Sequence, residues 1–453
     1  MNFIPQRAIP YIVLVGAFLY NLNIGILNSY GNLNIYLTSY LRYKGNNVTY
    51  RSVSFIYELT VITLGISMLL GNYVQQKLGE RLTIFISCIG TFISFYLSSI
   101  YTHSYYLLCL FMGITYAIGY GISFTIPLSC AYKHFTNNRG LISGIVISAI
   151  SLSPFLYCPL QTLIINRNNV LPVQYGSDSK EMYFKDVNVL NRVPYVLFIQ
   201  SIIFLVLATL GGLMATISVP NDSIDSENIA ILDKTNQNGN FVDSNIPWDV
   251  EKGDNAESGL FKSLKKKKKK KKDRIFLIWL IIILIYIKDE ILFFLYFMDR
   301  VTYTQVEDTL ITLNGSLINS MANIAGRLLW GIIYDKMSMN ITILLLGFLI
   351  TAACFALPAV VHIYPLYAIC CGVFYFCIGG SLVTIPVITL KKYGEKYFSL
   401  NMSILYTSRI ANTFLCSLVV RYLYQWLKLR CLSSAFGVLS IISTIVLFGI
   451  TVE

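Results

Sequence analysis

Apolar runs of roughly 20 residues, the length a helix needs to cross about 30 Å of hydrocarbon, recur along the whole chain. The expected spans are 9–30, 53–73, 82–101, 105–128, 141–165, 194–218, 275–298, 309–333, 340–360, 364–389, 399–420 and 431–450. Composition excludes a soluble reading of these runs. The hydrophobic fraction is 55% and the charged fraction 13%, with a mean hydropathy of +0.62, whereas a soluble domain carries about 25% charged residues. The chain reads as an all-α, polytopic membrane protein of twelve helices. The first run is too long and too poorly flanked for a cleaved signal peptide; a signal-anchor role stays open.

Between spans six and seven the character changes. Residues 219–274 are rich in Asn, Asp and Ser and end in the unbroken run Lys265 to Lys272. Such a segment cannot bury enough apolar surface to fold and reads as a linker. It divides the chain into an N-terminal six-helix half (1–218) and a C-terminal one (275–453). Basic tracts bind phosphates, but no nucleic-acid module accompanies this one. Its juxtamembrane place fits the positive-inside rule and contact with anionic lipid. The linker and, with an even number of spans, both termini are then expected to be cytosolic. The membrane itself, plasma or internal, is left open.

The ten cysteines fall in or beside spans and read as packing residues. They lack CxxC spacing and histidine partners, so no metal site is expected. The three histidines sit at span ends or in loops, and neither a GxxxxGK[ST] loop nor an HExxH pair occurs. Nucleotide-driven pumping and metalloprotease chemistry are disfavoured. No enzyme activity and no cofactor are expected, and the protein reads as a monomer.

The halves look like copies of one another. IGYGISFTIP (Ile118 to Pro127) and IGGSLVTIP (Ile378 to Pro386) lie close to 260 residues apart, as do Gly71 before QQKLGER and Gly331 before YDKMSMN. Paired six-helix halves are a transporter plan with the substrate at the midplane between them.

Two arginines interrupt the apolar pattern. At 1.5 Å per residue, Arg327 lies about 12 Å in from Asp335 and Arg409 about 15 Å in from Ser399. Each costs about 2.5–3.5 kcal/mol at that depth, so each is expected to face a wet cavity. The alternative is structural pairing, but spans eight and eleven contain no carboxylate at mid-depth. Span seven adds Lys288, Asp289 and Glu290. Asp289 and Glu290 are candidate proton-coupling or gating residues; a short span with a wet outer end, or a local ion pair with Lys288, is the slightly favoured alternative. Tyr406 lies one turn before Arg409, on the same helix face. Asn23 and Tyr30, two turns apart in span one, are candidates for the opposite wall, and Tyr116, Tyr120 and Tyr375 are further ones. With 32 tyrosines in the chain, any single one weighs little. Asn47-Val48-Thr49 fits a glycosylation sequon.

Gly331, Asp335 and Lys336 resemble the signature of the major facilitator superfamily at the turn between its eighth and ninth helices, with Ser338 where glycine is usual. In the first half Lys77, Gly79 and Arg81 fit, but Gln76 replaces the aspartate. VGAFLYNLNIG with NSYG, HFTNNRGLISG, NIAGRLLWG and KYGEKYFSLNMSILYTSRIA resemble the oxalate:formate antiporter and monocarboxylate transporter branch. The resemblance implies that Arg327 and Arg409 bind the substrate carboxylate. It also implies gating roles for Gly331, Asp335, Lys336, Gly79 and Arg81. Where monocarboxylate transporters place an aspartate four residues before the span-eight arginine, this chain has Asn323.

The leading expectation is a carrier for small organic anions, either monocarboxylates such as pyruvate, lactate or formate, or a short dicarboxylate. Symport and antiport both fit. A receptor or scaffold keeping the carrier fold is the alternative, and an intramembrane enzyme the third reading. Arg327, Arg409, Tyr406, Asn23 and Tyr30 are expected around one midplane cavity, with Asp335 near the start of span eleven.

Overall fold

A computed structural model describes residues 5–174, 182–217, 319–360, 363–418 and 429–452. The linker with its lysine run, span seven with Asp289 and Glu290, and residues 309–318 of span eight lie outside the described residues. Every other expected span falls on helix over its described residues, and seven of the described helices are long and apolar enough to cross a membrane.

Span one is longer than its apolar run. Helix Ile9–Ile24 passes through a 3-10 turn, Gly25–Ser29, into helix Tyr30–Tyr43. The added turns bury Tyr36, Leu37, Tyr40 and Leu41, so packing carries the helix beyond the point where hydropathy falls. Thr49 then caps the next helix, its hydroxyl accepting from the Ser52 amide at 3.3 Å.

Spans two and three form one helical run, Tyr50–Ile100, broken only at Gly79 with φ 77° and ψ 171°. The polar stretch QQKLGER, expected as a loop, therefore compresses into a turn at one residue. Glycine takes that backbone conformation without a Cβ penalty. Span four is less regular than its sequence suggests: Tyr105–Leu108, a π-turn Cys109–Thr115, Tyr116–Ser123 and Ile126–His134. Pro127 sits in the first turn of the last piece, where its missing N–H costs nothing.

Span five, Arg139–Ile165, keeps Pro154 and Pro159 inside the helix. A proline removes the hydrogen bond to the carbonyl four residues earlier, and for Pro154 that carbonyl is Ile150. Asn28 supplies the replacement donor at 3.1 Å. Asn21 donates to the Val146 carbonyl at 3.1 Å and Asn32 to that of Cys158 at 3.3 Å. Three asparagines of span one thus run along span five, each giving its amide N–H to a span-five carbonyl.

Span six is Val193–Ala215. A short antiparallel hairpin, Val173–Gln174 with Met182–Tyr183, and helix Val187–Asn191 precede it; the sequence gives no clear signal for either. In the second half, spans eight to ten are Asn319–Lys336, Met339–Val360 and Tyr364–Tyr393. Span eleven splits into Phe398–Tyr406 and Ser408–Leu418, and span twelve is Leu429–Val452. Span eight packs on spans five and ten, and span nine on span twelve.

Polarity is arranged for lipid. Leu213 is 63% exposed, Phe348 70% and Phe414 64%, while Thr60, Ser67 and Gln161 are buried. Helices in a bilayer gain nothing by hiding leucine from lipid, so small and hydrogen-bonding residues make the contacts.

Candidate functional site

Span eight is held backbone to backbone between its neighbours. A Cβ on Gly379 of span ten would lie 2.5 Å from the Asn323 carbonyl oxygen, and one on Gly144 of span five 2.4 Å from that of Arg327. These glycines let two helices close on the arginine. Arg327 is 3% exposed. Its Nε donates to Asn323 Oδ1 at 2.8 Å and its Nη1 to the Ile147 carbonyl of span five. Ser151, one turn further along span five, donates to the same Asn323 Oδ1 at 2.8 Å. A charged donor without an acceptor at this depth would cost several kcal/mol, roughly the penalty of an unpaired buried charge.

Arg409 stands just past the Thr407 break in span eleven. Its Nη1 lies 3.4 Å from the Tyr406 hydroxyl, and its guanidinium carbon is 5.7 Å from the centre of that ring, within cation–π range. Tyr406 in turn packs on Phe124 of span four, centroids 4.6 Å apart, and Phe124 on Tyr120 at 5.3 Å. The sequence neighbours Tyr406 and Arg409 are thus brought together. Arg327 leans on span five of the first half, and Arg409, through Tyr406, on span four.

Asn23 and Tyr30 make contacts inside the first half. Asn23 Nδ2 donates to the Phe204 carbonyl of span six at 3.3 Å. The Tyr30 hydroxyl donates to the Val53 carbonyl at 2.7 Å, and its ring stacks on Tyr57.

The signature residues gather at one end of the bundle. Both carboxylate oxygens of Asp335 accept from span five, from the Gly140 and Leu141 amides, each at 2.8 Å. The helix start that Asp335 caps is that of span five, not span eleven as its sequence suggested. Gly140 and Gly331 permit this contact; a Cβ on Gly331 would lie 2.5 Å from the Gly140 carbonyl oxygen. Lys336 is exposed in the last turn of span eight. Arg81, beyond the Gly79 turn, donates to the Thr216 carbonyl at 3.0 Å, so span six ends on this side too.

Sequence reasoning missed several members of this end. Gln75, not Gln76, reaches span eleven: its Oε1 accepts from Ser399 Oγ at 2.9 Å, and Ser399 also meets Thr125 at 2.6 Å. Counting from Gly71, as Asp335 is counted from Gly331, selects Gln75. Arg139 pairs with Glu395 across the halves, and Lys133 with Glu80 within the first. The charge pattern alone matches none of these partners.

Known proteins share this fold. The chain is 22% identical over 402 residues to apicoplast pyruvate carrier 1 of Toxoplasma gondii, covering 85% of this chain and 72% of that protein. Apicoplast pyruvate carrier 2 of the same organism is 20% identical, with 95% and 80% covered. A proton:xylose symporter superposes with a TM-score of 0.66 at 14% identity, over 97% of this chain and 94% of that one. A human organic anion transporter gives 0.63 at 14% identity, with 98% and 100% covered. The Major Facilitator Superfamily model matches residues 13–413. This chain is therefore a member of the major facilitator superfamily, a multi-pass membrane transporter rather than an enzyme.

Proposed function

We propose that this transporter carries small organic anions, monocarboxylates of the pyruvate, lactate or formate type or a short dicarboxylate, by alternating access. The observation that carries the reading is Arg327: 3% exposed in the bundle and reaching across to span five of the first half through the Ile147 carbonyl. An arginine kept at such depth suits a carboxylate, which its planar fork meets with two parallel hydrogen bonds. Arg409 supplies the second charge and Tyr406 a hydroxyl beside it. The pyruvate carriers named above support a monocarboxylate.

The two halves, 1–218 and 275–453, rock about this site, with 219–274 as a cytosolic linker. Asp335 on span five, Arg139 with Glu395, and Gln75 with Ser399 hold the halves together at one end. Closure there and opening at the other end exchange the site between the two sides. Asn23 and Tyr30 support the first-half wall through spans six and two, and Asp289 or Glu290 are the candidates for any proton coupling. The carrier works as a monomer without a cofactor, and the lysine run rests on anionic lipid.

A receptor that keeps the fold is the second reading, favoured by the neutral Gln75 where the family signature has an acid. Uptake of labelled carboxylates into proteoliposomes, with and without a pH gradient, separates the two. A carrier accumulates at least one of them, and Arg327→Gln and Arg409→Gln abolish uptake while the protein still reaches the membrane. Undiminished uptake by either variant would overturn the anion site, and no uptake of any carboxylate by the unaltered chain would favour the receptor.

A further inference from the structure

Beside Arg409, toward the signature residues, the two halves meet ring to ring. Phe124 of span four and Tyr406 of span eleven lie 4.6 Å apart between centroids, tilted by 54°. Phe124, Tyr406 and Arg409 are each half-buried. The hydrogen bond between Thr125 and Ser399, at 2.6 Å, follows toward the signature end. Phe124 also packs on Tyr120 at 5.3 Å, and Tyr120, itself buried, packs on Tyr116 at 6.2 Å. The first-half core thus backs the Phe124 ring. Polar atoms gather at the other end of the stack. The Tyr406 hydroxyl lies 3.4 Å from Arg409 Nη1, whereas the Phe124 side chain offers carbon alone.

Resting on the carrier reading, we infer that Phe124 is a specificity-determining residue, the ring that closes the site beside Arg409 and limits the length of the carboxylate's tail. An anion whose carboxylate meets the guanidinium lays its remaining atoms along the neighbouring aromatic surface. A methyl group gains burial and dispersion there. A longer tail runs into the Phe124 ring, which Tyr120 holds in place, and forcing extra methylenes into packed surroundings is unfavourable. The tail end of the site therefore belongs to the first half, while Arg409 and Tyr406 of the second read the charged head. Monocarboxylates of about the size of pyruvate are the class that fits.

The test uses the full chain in proteoliposomes with labelled pyruvate and labelled 2-oxopentanoate, whose tail is longer by two methylenes. Vmax/KM is measured for each acid. The unaltered protein is expected to favour pyruvate at least about tenfold, the smaller end of what one methylene decides in an apolar pocket. Phe124→Ala removes the ring and should raise the ratio of 2-oxopentanoate to pyruvate about tenfold, and Phe124→Leu, which keeps an apolar side chain, about threefold. A general packing defect would lower uptake of both acids alike and leave the ratio where it was. An unchanged ratio in Phe124→Leu, or in both variants, overturns the inference, as does equal uptake of the two acids by the unaltered chain. Uptake of neither acid by the unaltered chain overturns the carrier reading and this inference with it.

Discussion

The duplicated halves put different chemistry at corresponding places. Close to 260 residues before Arg327 stands Ser67, and close to 260 before Asp335 stands Gln75. Each pair occupies similar surroundings. Ser67 packs against Gly121 of span four, as Arg327 packs against Gly379 of span ten. Gln75 meets Ser399 at the start of span eleven, as Asp335 meets Gly140 and Leu141 at the start of span five. The first half uses neutral hydrogen bonds and the second charged ones. In the proposed site both charges, Arg327 and Arg409, come from the second half.

The largest expected effect comes from erasing that difference. Arg327→Ser makes the second half like the first. It removes two charge-assisted bonds of about 1.5–3 kcal/mol each, so carboxylate uptake should fall at least about a hundredfold. Ser67→Ala removes a hydroxyl that donates to the Ala117 carbonyl at 2.8 Å within its own half. That variant should lose about 0.5–1.5 kcal/mol of stability and keep transport. Comparable losses of uptake in both would show that the halves share the substrate equally.

The two signature glycines give the next effect. Gly331 faces Gly140 across the halves, whereas a Cβ on Gly71 would lie 2.4 Å from the Ile122 carbonyl oxygen inside the first half. Overpacking costs about 1–3 kcal/mol in both places, but in different quantities. Gly331→Ala should slow uptake about tenfold by obstructing closure, with a thermal midpoint near that of the unaltered protein. Gly71→Ala should lower the midpoint. The reverse assignment would break the comparison.

A smaller effect separates the two corners of the closed end. Asp335→Asn loses the charge facing a helix start, about 1 kcal/mol for cap and dipole together, or roughly fivefold in the closed-to-open ratio. Gln75→Ala loses one neutral bond across the halves, to Ser399, and one within the first half, to Glu80, and should shift that ratio less. Distances between spin labels placed on spans five and eight report it directly. Equal shifts would mean that the charge at Asp335 adds nothing.

The spans were legible because a bilayer imposes one length on every apolar run, and a buried arginine stands out against that background. Their irregularities were not. The π-turn at Cys109–Thr115 has no residue signature, and the extension of span one to Tyr43 depends on partners remote in sequence. Arg327 was legible as a charge; its partners were not. Ile147 contributes a backbone carbonyl, which every residue possesses, and Ser151 is one serine among many. Asp335 was found by resemblance, yet its helix was misassigned, because a signature names the residue and tertiary packing chooses what it caps.

The smallest effect concerns two ion pairs of the same end. Arg139–Glu395 joins the halves, and Lys133–Glu80 lies within the first. Both are partly exposed, where such pairs contribute about 0–1 kcal/mol and are screened by salt. Glu80, however, has two more donors: Cys130 Sγ at 3.3 Å and Gln75 Nε2 at 3.3 Å. The latter turns the Gln75 amide so that its oxygen faces Ser399, which makes Glu80 an indirect support of the neutral corner. Glu395→Gln should change uptake by less than about twofold at low salt and by nothing measurable near 1 M salt, where the Debye length is about 3 Å. Glu80→Gln should change it by a similar factor, but the change should persist at high salt, since an amide orientation is not screened. Identical salt dependence in the two variants would remove Glu80 from the gate and leave Gln75 to hold span eleven unaided.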